Sequence, residues 1–318
     1  MSIVVEPPSP ALDLAASANS VATLSARASL STRCRDFVAL TKPRIAVMAL
    51  VTVTLGFLLG SRGEWAVGQL AHGVFGIALV AAACSAFNQW LERDSDRLMA
   101  RTANRPLPAG RLSPNEVLVF GLLVGVIGLA ELVFTVNLTT AVLAFGTLLL
   151  YVAVYTPLKR HTSLCTAIGA VPGAMPPVLG WTAAGGELDA GAFGLFATLY
   201  LWQFPHFLAI AWLYREQYSA AGLRMLPQEQ PRPGITGWLC LAYALALTPV
   251  SLLLKDAALA GDFYACVALI LGCGYVAFAV RFLRAESAQT ARHLLWFSLV
   301  YLPALLLALT WDHWRLLS

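Results

Sequence analysis

Nine runs of apolar residues alternate with short polar stretches, at about 45–61, 67–90, 117–134, 137–155, 163–182, 191–213, 236–254, 262–281 and 294–311. A helix needs roughly 20 apolar residues to cross a bilayer core, so the pattern predicts nine membrane-spanning helices. Several runs are rich in Gly and Ala, which lets helices approach closely in lipid. Pro157, Pro172, Pro176, Pro177 and Pro205 predict kinks or breaks, tolerated only where protein or a cavity shelters the backbone. Residues 1–35 are rich in Ala, Ser and Pro and lack a long apolar core, so they read as a flexible cytoplasmic tail. They also lack the basic start and continuous apolar stretch of a signal peptide. Residues 36–318 form the transmembrane domain.

Composition agrees. Of 318 residues, 58% are hydrophobic and 12% charged, and the mean hydropathy is +0.71. A soluble domain carries about 25% charged residues, so this surface belongs in lipid. The same counts exclude collagenous, disulfide-rich and disordered classes. A net charge of +4 implies no nucleic-acid partner. The six cysteines (Cys34, Cys84, Cys165, Cys240, Cys266, Cys273) form no CxxC pair and have no histidine at ligand spacing, which predicts neither a disulfide nor a structural zinc.

The placement of charge sets the orientation. With nine spans, all but three of the 21 basic residues fall on the side of the N-terminus, the exceptions being Arg62, Lys255 and Arg315. Cytoplasmic loops are the ones that collect Lys and Arg. The N-terminus is therefore expected in the cytoplasm and the C-terminus outside, in a cell inner membrane.

Three polar clusters interrupt the apolar pattern. The second span runs on into Asn88, Glu92 and Asp96, which are four apart, so each turns only about 40° from the last and all share one helical face. Oxygen-bearing side chains in a row suit a hard cation such as Mg²⁺, which usually bridges to a substrate's phosphates. Arg97, Arg101, Arg105 and Arg111 follow and would counter an anion. The competing reading is an ordinary helix end whose acids pair with arginines, Asp94 with Arg97 for example. The cost of polar residues at membrane depth weighs for function. A second cluster ends the fourth span at Tyr155, Lys159, Arg160 and His161; adjacent cations serve a diphosphate, and equally any inner loop. The third places His206 beside Pro205 among aromatic residues, which suits a flat apolar ligand or a histidine making one core hydrogen bond. His72, His293 and His313 read as structural.

On these segments the chain resembles the protoheme IX farnesyltransferase (heme O synthase) family, membrane prenyltransferases related to the 4-hydroxybenzoate polyprenyltransferases. LTKPR (Leu40 to Arg44) is similar to the family's opening motif. NQWLERDSDRLMARTANRPLPAG (Asn88 to Gly110), YTPLKRHTSLCTAIGAVPGAMPPVLGW (Tyr155 to Trp181) and WQFPHFLAIAWLYREQYSAAGLRMLP (Trp202 to Pro227) resemble its three signatures. The likeness covers roughly residues 38–310.

The resemblance implies an all-α polytopic protein of about nine helices around a central apolar chamber open to the cytoplasmic side. It further implies transfer of the farnesyl group of farnesyl diphosphate to a vinyl group of heme B, with water addition, giving heme O. Asn88, Glu92 and Asp96 would hold Mg²⁺. Lys42, Arg101, Arg105, Lys159 and Arg160 would bind diphosphate, and His206 and Tyr155 would face heme B, a substrate here and not a permanent cofactor. Expected partners are farnesyl diphosphate, heme B and the bilayer, with a heme A synthase or oxidase assembly factors as candidate protein partners. The chain departs from the family in having Glu92 where many relatives carry Asp. Gln217 stands where Asp is expected, which leaves Glu216 as the secondary acidic residue. Cys165 stands where Asn is common. The alternatives are a sibling transferase acting on an aromatic or quinone precursor and, from a different class, a transporter, whose site would usually lie near the midplane.

Overall fold

The computed structural model describes residues 31–61, 63, 66–226 and 234–318. Among them the only regular structure is helical. Nine helices follow the nine apolar runs in order: α1 (Pro43–Gly60), α2 (Val67–Arg97), α3 (Pro114–Val136), α4 (Leu138–Leu158), α5 (Cys165–Ala183), α6 (Ala190–Leu213), α7 (Ile235–Asp256), α8 (Asp262–Arg284) and α9 (Ala288–Leu317). Eight of them are long and apolar enough to cross a membrane. The other is α5, whose 19 residues are long enough but whose Pro172, Pro176 and Pro177 dilute its apolar character. It is instead the most enclosed of the early helices, wedged between α1 and α6.

The prolines were expected to kink or break helices. Pro172, Pro176 and Pro177 lie inside α5, and Pro205 lies inside α6, without interrupting either. Neighbouring helices can re-satisfy the backbone groups that proline frees in a membrane bundle. Of the expected tail, residues 1–30 lie outside the described residues, while 31–40 are helical.

Apolar side chains cover the outside. Phe134 (84% exposed), Ile270 (72%) and Leu307 (69%) are on the surface, as only a lipid-facing wall allows. Inside, α5 to α9 share one large apolar core, and α1 to α5 share a second.

The two ends of the bundle differ. At one end α1 and α5 cross so closely that a Cβ on Gly56 would fall into the Pro177 carbonyl, and one on Gly180 into the Val53 carbonyl. Small residues permit such contact in lipid. At the same end Asp312 accepts hydrogen bonds from the Gly261 and Tyr264 amides (2.7 and 3.0 Å), and Asn137 donates to the Thr182 carbonyl (2.8 Å). Towards the other end α1 has no buried residue before Thr52. There the loops carrying the arginines meet: Arg33 bonds to Glu116, Arg111 to Asp36, and the Arg224 amide to the Lys159 carbonyl. The bundle is thus cinched at one end and polar at the other.

The close crossing makes a prediction. Gly56→Ala or Gly180→Ala should destabilise the detergent-solubilised protein by about 1–3 kcal/mol, the usual cost of overpacking. Gly68→Ala, where an added carbon meets nothing within 4 Å, should stay within about 0.5 kcal/mol. Thermal midpoints of the three variants decide it.

Candidate active site

α2 is 31 residues long and stays helical past the end of its apolar run. That extension carries Asn88, Glu92 and Asp96 into the polar end on one face, with relative exposures of 1%, 8% and 1%. Asp94, one residue pair away, is exposed and sits 3.9 Å from Arg93, not against Arg97. The spacing therefore separates an inward face from an outward one.

Each of these inward side chains meets a basic group from another segment. Lys42 Nζ donates to Asn88 Oδ1 at 2.8 Å, Lys159 Nζ to Glu92 Oε1 at 2.7 Å, and Arg105 to Asp96 Oδ2 at 2.6 Å. The second Asp96 oxygen, Oδ1, is buried without a hydrogen-bond partner. Such an orphan calls for a partner, and a bound ion or water is one that would satisfy it.

The local backbone explains how these partners arrive. Lys42 has a left-handed conformation (φ 49°, ψ 60°) at the start of α1, immediately before Pro43. A following proline disfavours the right-handed region, and the left-handed one costs a non-glycine residue about 1–2 kcal/mol. Strain of this kind persists only where the surroundings over-determine it. Burial pushes the Lys42 ammonium down to about 7, with Arg105 and Lys159 adding repulsion and Glu92 and Asp96 opposing it.

Lys159 arrives by a different device. The last part of α4, Leu150–Tyr155, is a π-helix, and the Thr156 amide reaches back to the Tyr151 carbonyl. The extra residue in the turn puts Thr156 under Asn88, whose Nδ2 donates to Thr156 Oγ1 at 3.3 Å, and puts Lys159 onto Glu92. Tyr155 lies beneath the Lys159 ammonium (4.4 Å from the ring centroid) and against Gly169 of α5, where a Cβ would collide with the ring. Burial opposes the Lys159 charge, yet Tyr155 and Glu92 beside it hold its pKa above the ordinary lysine range.

Arg101 is placed by the third cluster: its guanidinium donates to the Tyr218 hydroxyl at 3.2 Å. Cys165, the departure from Asn, is fully buried with its thiol 3.8 Å from the Arg224 carbonyl. Three of the expected residues are not brought to the α2 face. Arg160 is exposed. Glu216 is 87% exposed and pairs with Arg215 at 3.4 Å. His206 sits in the other half of the bundle, where Nδ1 is 2.8 Å from Ser298 Oγ of α9 and the ring stacks on Trp202 at 4.9 Å. α5 packs against both the Tyr155 helix and the His206 helix, and so stands between them.

Several residues here escape a sequence reading. Thr156, Tyr214 and Tyr218 stand inside the singled-out segments but carry no charge to flag them. Gln89 donates to the Leu40 carbonyl at 2.8 Å and ties α2 to the segment before α1. Among the described residues no three His, Cys, Asp or Glu side chains converge as a ready-made metal cage. An ion here would have to share its oxygens between the protein and a ligand.

Residues 49–302 match the UbiA prenyltransferase family. The chain belongs to that family. Among UbiA relatives, the protoheme IX farnesyltransferase of Anaeromyxobacter sp. (strain Fw109-5) is 42% identical over 291 residues, covering 91% of this chain and 98% of that one. The protoheme IX farnesyltransferase of Solibacter usitatus is 41% identical over 278 residues, covering 85% and 95%. In Sorangium cellulosum the protein of the same name is 46% identical over 246 residues, covering 76% and 86%. Among solved structures, a digeranylgeranylglyceryl phosphate synthase superposes with a TM-score of 0.76 at 18% identity, over 89% of this chain and 99% of that chain. A UbiA homologue from Archaeoglobus fulgidus bound to GPP and Mg²⁺ gives 0.58 at 17% identity, over 86% and 99%. These structures share the UbiA fold.

The buried pairing in this UbiA site can be tested without substrate. Lys159→Met would leave Glu92 unpaired at 8% exposure and should cost about 3 kcal/mol of stability. Adding Glu92→Leu should recover most of that loss. A double variant no more stable than the single one would show that the pair does not carry the charge balance.

Proposed function

We propose that this UbiA family member transfers the farnesyl group of farnesyl diphosphate to a vinyl group of heme B, with addition of water, giving heme O and diphosphate. The relatives named above carry that activity in their names over most of the chain's length. The observation that carries the reading is the α2 face, where Asn88, Glu92 and Asp96 are buried against Lys42, Lys159 and Arg105. Three basic side chains facing two carboxylates leave basic capacity for an anionic substrate. A membrane-midplane transport site has no such counterpart here, since the cluster lies at one end of α2.

Farnesyl diphosphate has an allylic C–O bond, and its ionisation leaves a resonance-stabilised cation and an anionic diphosphate. Lys42, Arg105 and Lys159, with Arg101 in the neighbouring loop, stabilise the charge that builds on the leaving group. Asn88, Glu92 and Asp96 offer oxygen-only donors, including the orphaned Asp96 Oδ1, which fits Mg²⁺. Bound there, Mg²⁺ would supply further charge neutralisation at the diphosphate. Apolar helix walls exclude water from the allylic cation until the vinyl carbon attacks. The new carbocation beside the porphyrin ring then takes up water and releases a proton. His206 and Tyr155 are the candidate polar groups on the heme side, one held by Ser298 and the other resting on Lys159.

The basic residues of the polar end support a cytoplasmic side for it, with the N-terminus inside and the C-terminus outside, in a cell inner membrane. Delivery of the product to a heme A synthase or an oxidase assembly factor belongs to the same proposal.

The deciding experiment is the porphyrin product formed by purified protein from heme B and farnesyl diphosphate. Hydroxyethylfarnesyl heme supports the reading; turnover of only an aromatic or quinone precursor overturns it. Within that assay, Glu92→Gln and Asp96→Asn should each lower kcat/KM by about a hundredfold to a thousandfold, as for loss of one transition-state donor. Asp94→Asn, on the exposed side of α2, should change little. Equal and mild effects at all three would indicate a solvated helix end. Orientation is tested by Ala109→Cys in a background without native cysteines. An impermeant thiol reagent should label it in inverted vesicles only, and labelling in intact cells would reverse the topology.

A further inference from the structure

Four basic residues around the α2 face and its loop are held by acidic or amide partners. Lys159, Arg105 and Arg111 donate to carboxylates, and Lys42 to an amide oxygen within the same acidic cluster. Arg101 differs from these. Its guanidinium carbon lies 5.2 Å from the Tyr214 ring centroid and 5.9 Å from that of Tyr218, and its one side-chain hydrogen bond goes to the Tyr218 hydroxyl. Among the described residues no carboxylate pairs with it.

The difference is chemical. A carboxylate fixes a guanidinium by cancelling its charge. An aromatic face attracts the same cation and leaves the charge intact. One phenol hydroxyl uses a single N–H of the five that arginine offers, and the rest stay available for a phosphate in a planar fork. Two tyrosines four residues apart therefore hold Arg101 in place while keeping it uncancelled.

The clasp itself is anchored. Tyr218 is 9% exposed and packs with Met99 and Leu223, so the Arg101 loop and the segment after α6 share a small apolar core. A few residues on, the Arg224 amide donates to the Lys159 carbonyl at 2.7 Å. The segment 214–224 thus touches both the loop that carries Arg101 and the residue that pairs with Glu92.

We propose that Tyr214 and Tyr218 are positioning residues that hold Arg101, with its charge uncancelled, for the diphosphate of the prenyl donor. The proposal rests on the function proposed above. It assigns the third sequence cluster a role on the diphosphate side, in addition to the heme side on which its histidine stands.

The test is the inhibition constant of inorganic diphosphate against turnover of farnesyl diphosphate and heme B by the full chain in detergent. Tyr218→Phe keeps the ring and loses the hydroxyl, and should raise the constant about threefold. Tyr214→Leu with Tyr218→Leu removes both faces and should raise it about tenfold, with the KM for heme B unchanged. In an Arg101→Gln background the same tyrosine changes should add nothing, because the group they position is gone. A purely structural tie between loops would instead cost the same in both backgrounds, and that result would overturn the proposal. An unchanged constant in the tyrosine variants would overturn it as well. If the doubly substituted protein fails to fold, the Tyr218→Phe arm in both backgrounds decides between the two outcomes alone. Inhibition absent from the unsubstituted protein would overturn the proposed function, and the positioning role with it.

Discussion

A carboxylate buried at the end of a membrane helix has to be neutralised where it stands, because neither water nor lipid will do it. α2 carries two of them and an amide on one face, so three other segments are obliged to come to it. The start of α1 brings Lys42, the end of α4 brings Lys159, and the loop after α2 returns with Arg105. These contacts fix the entry of α1 and the exit of α4. They also set the path of the loop over the helix end. The backbone irregularities of this region, the left-handed Lys42 and the π-turn of α4, lie where that requirement is met.

The same requirement explains the asymmetry of the bundle. Lipid gives helices little reason to associate, so close packing has to come from shape, and α1 and α5 find it where glycine lets backbone touch backbone. Closing the helices that tightly along their whole length would leave no space beside the acidic face. α1 instead has its buried residues from Thr52 onward, and the half near Lys42 packs less closely. One end supplies the packing, and the other carries the proposed site.

Much of this is legible in the chain. The nine apolar runs give nine helices in the right order, and the i, i+4, i+8 spacing separates Asn88, Glu92 and Asp96 from the exposed Asp94. Periodicity stops being informative where the partner is distant. Nothing local says that Lys159 belongs to Glu92, 67 residues away, or Arg101 to Tyr218, 117 residues away. Nor does composition separate Glu92 from Glu216, both acids beside an arginine at a helix end, although one is buried and the other points into solvent. The proline-rich α5 has protein neighbours, and its apolar signal is weaker than that of the lipid-facing helices. The π-turn has no composition of its own, and its single added residue decides which side chains of α4 reach the site.

The division between cancelled and uncancelled cations bears on how such a site could favour a transition state over a ground state. Lys159 and Arg105 are already bonded to Glu92 and Asp96, so an incoming diphosphate must compete for them, or draw the carboxylates' interactions elsewhere. Their contribution to binding the substrate would accordingly be reduced. Charge that grows on a departing diphosphate strengthens its claim on those same donors, and interactions that strengthen only then lower the barrier. Arg101, held by rings, has no such competitor and would engage the substrate from the start. A site of this design separates the work: an uncancelled guanidinium to capture the anion, and carboxylate-tethered cations to respond as the bond breaks.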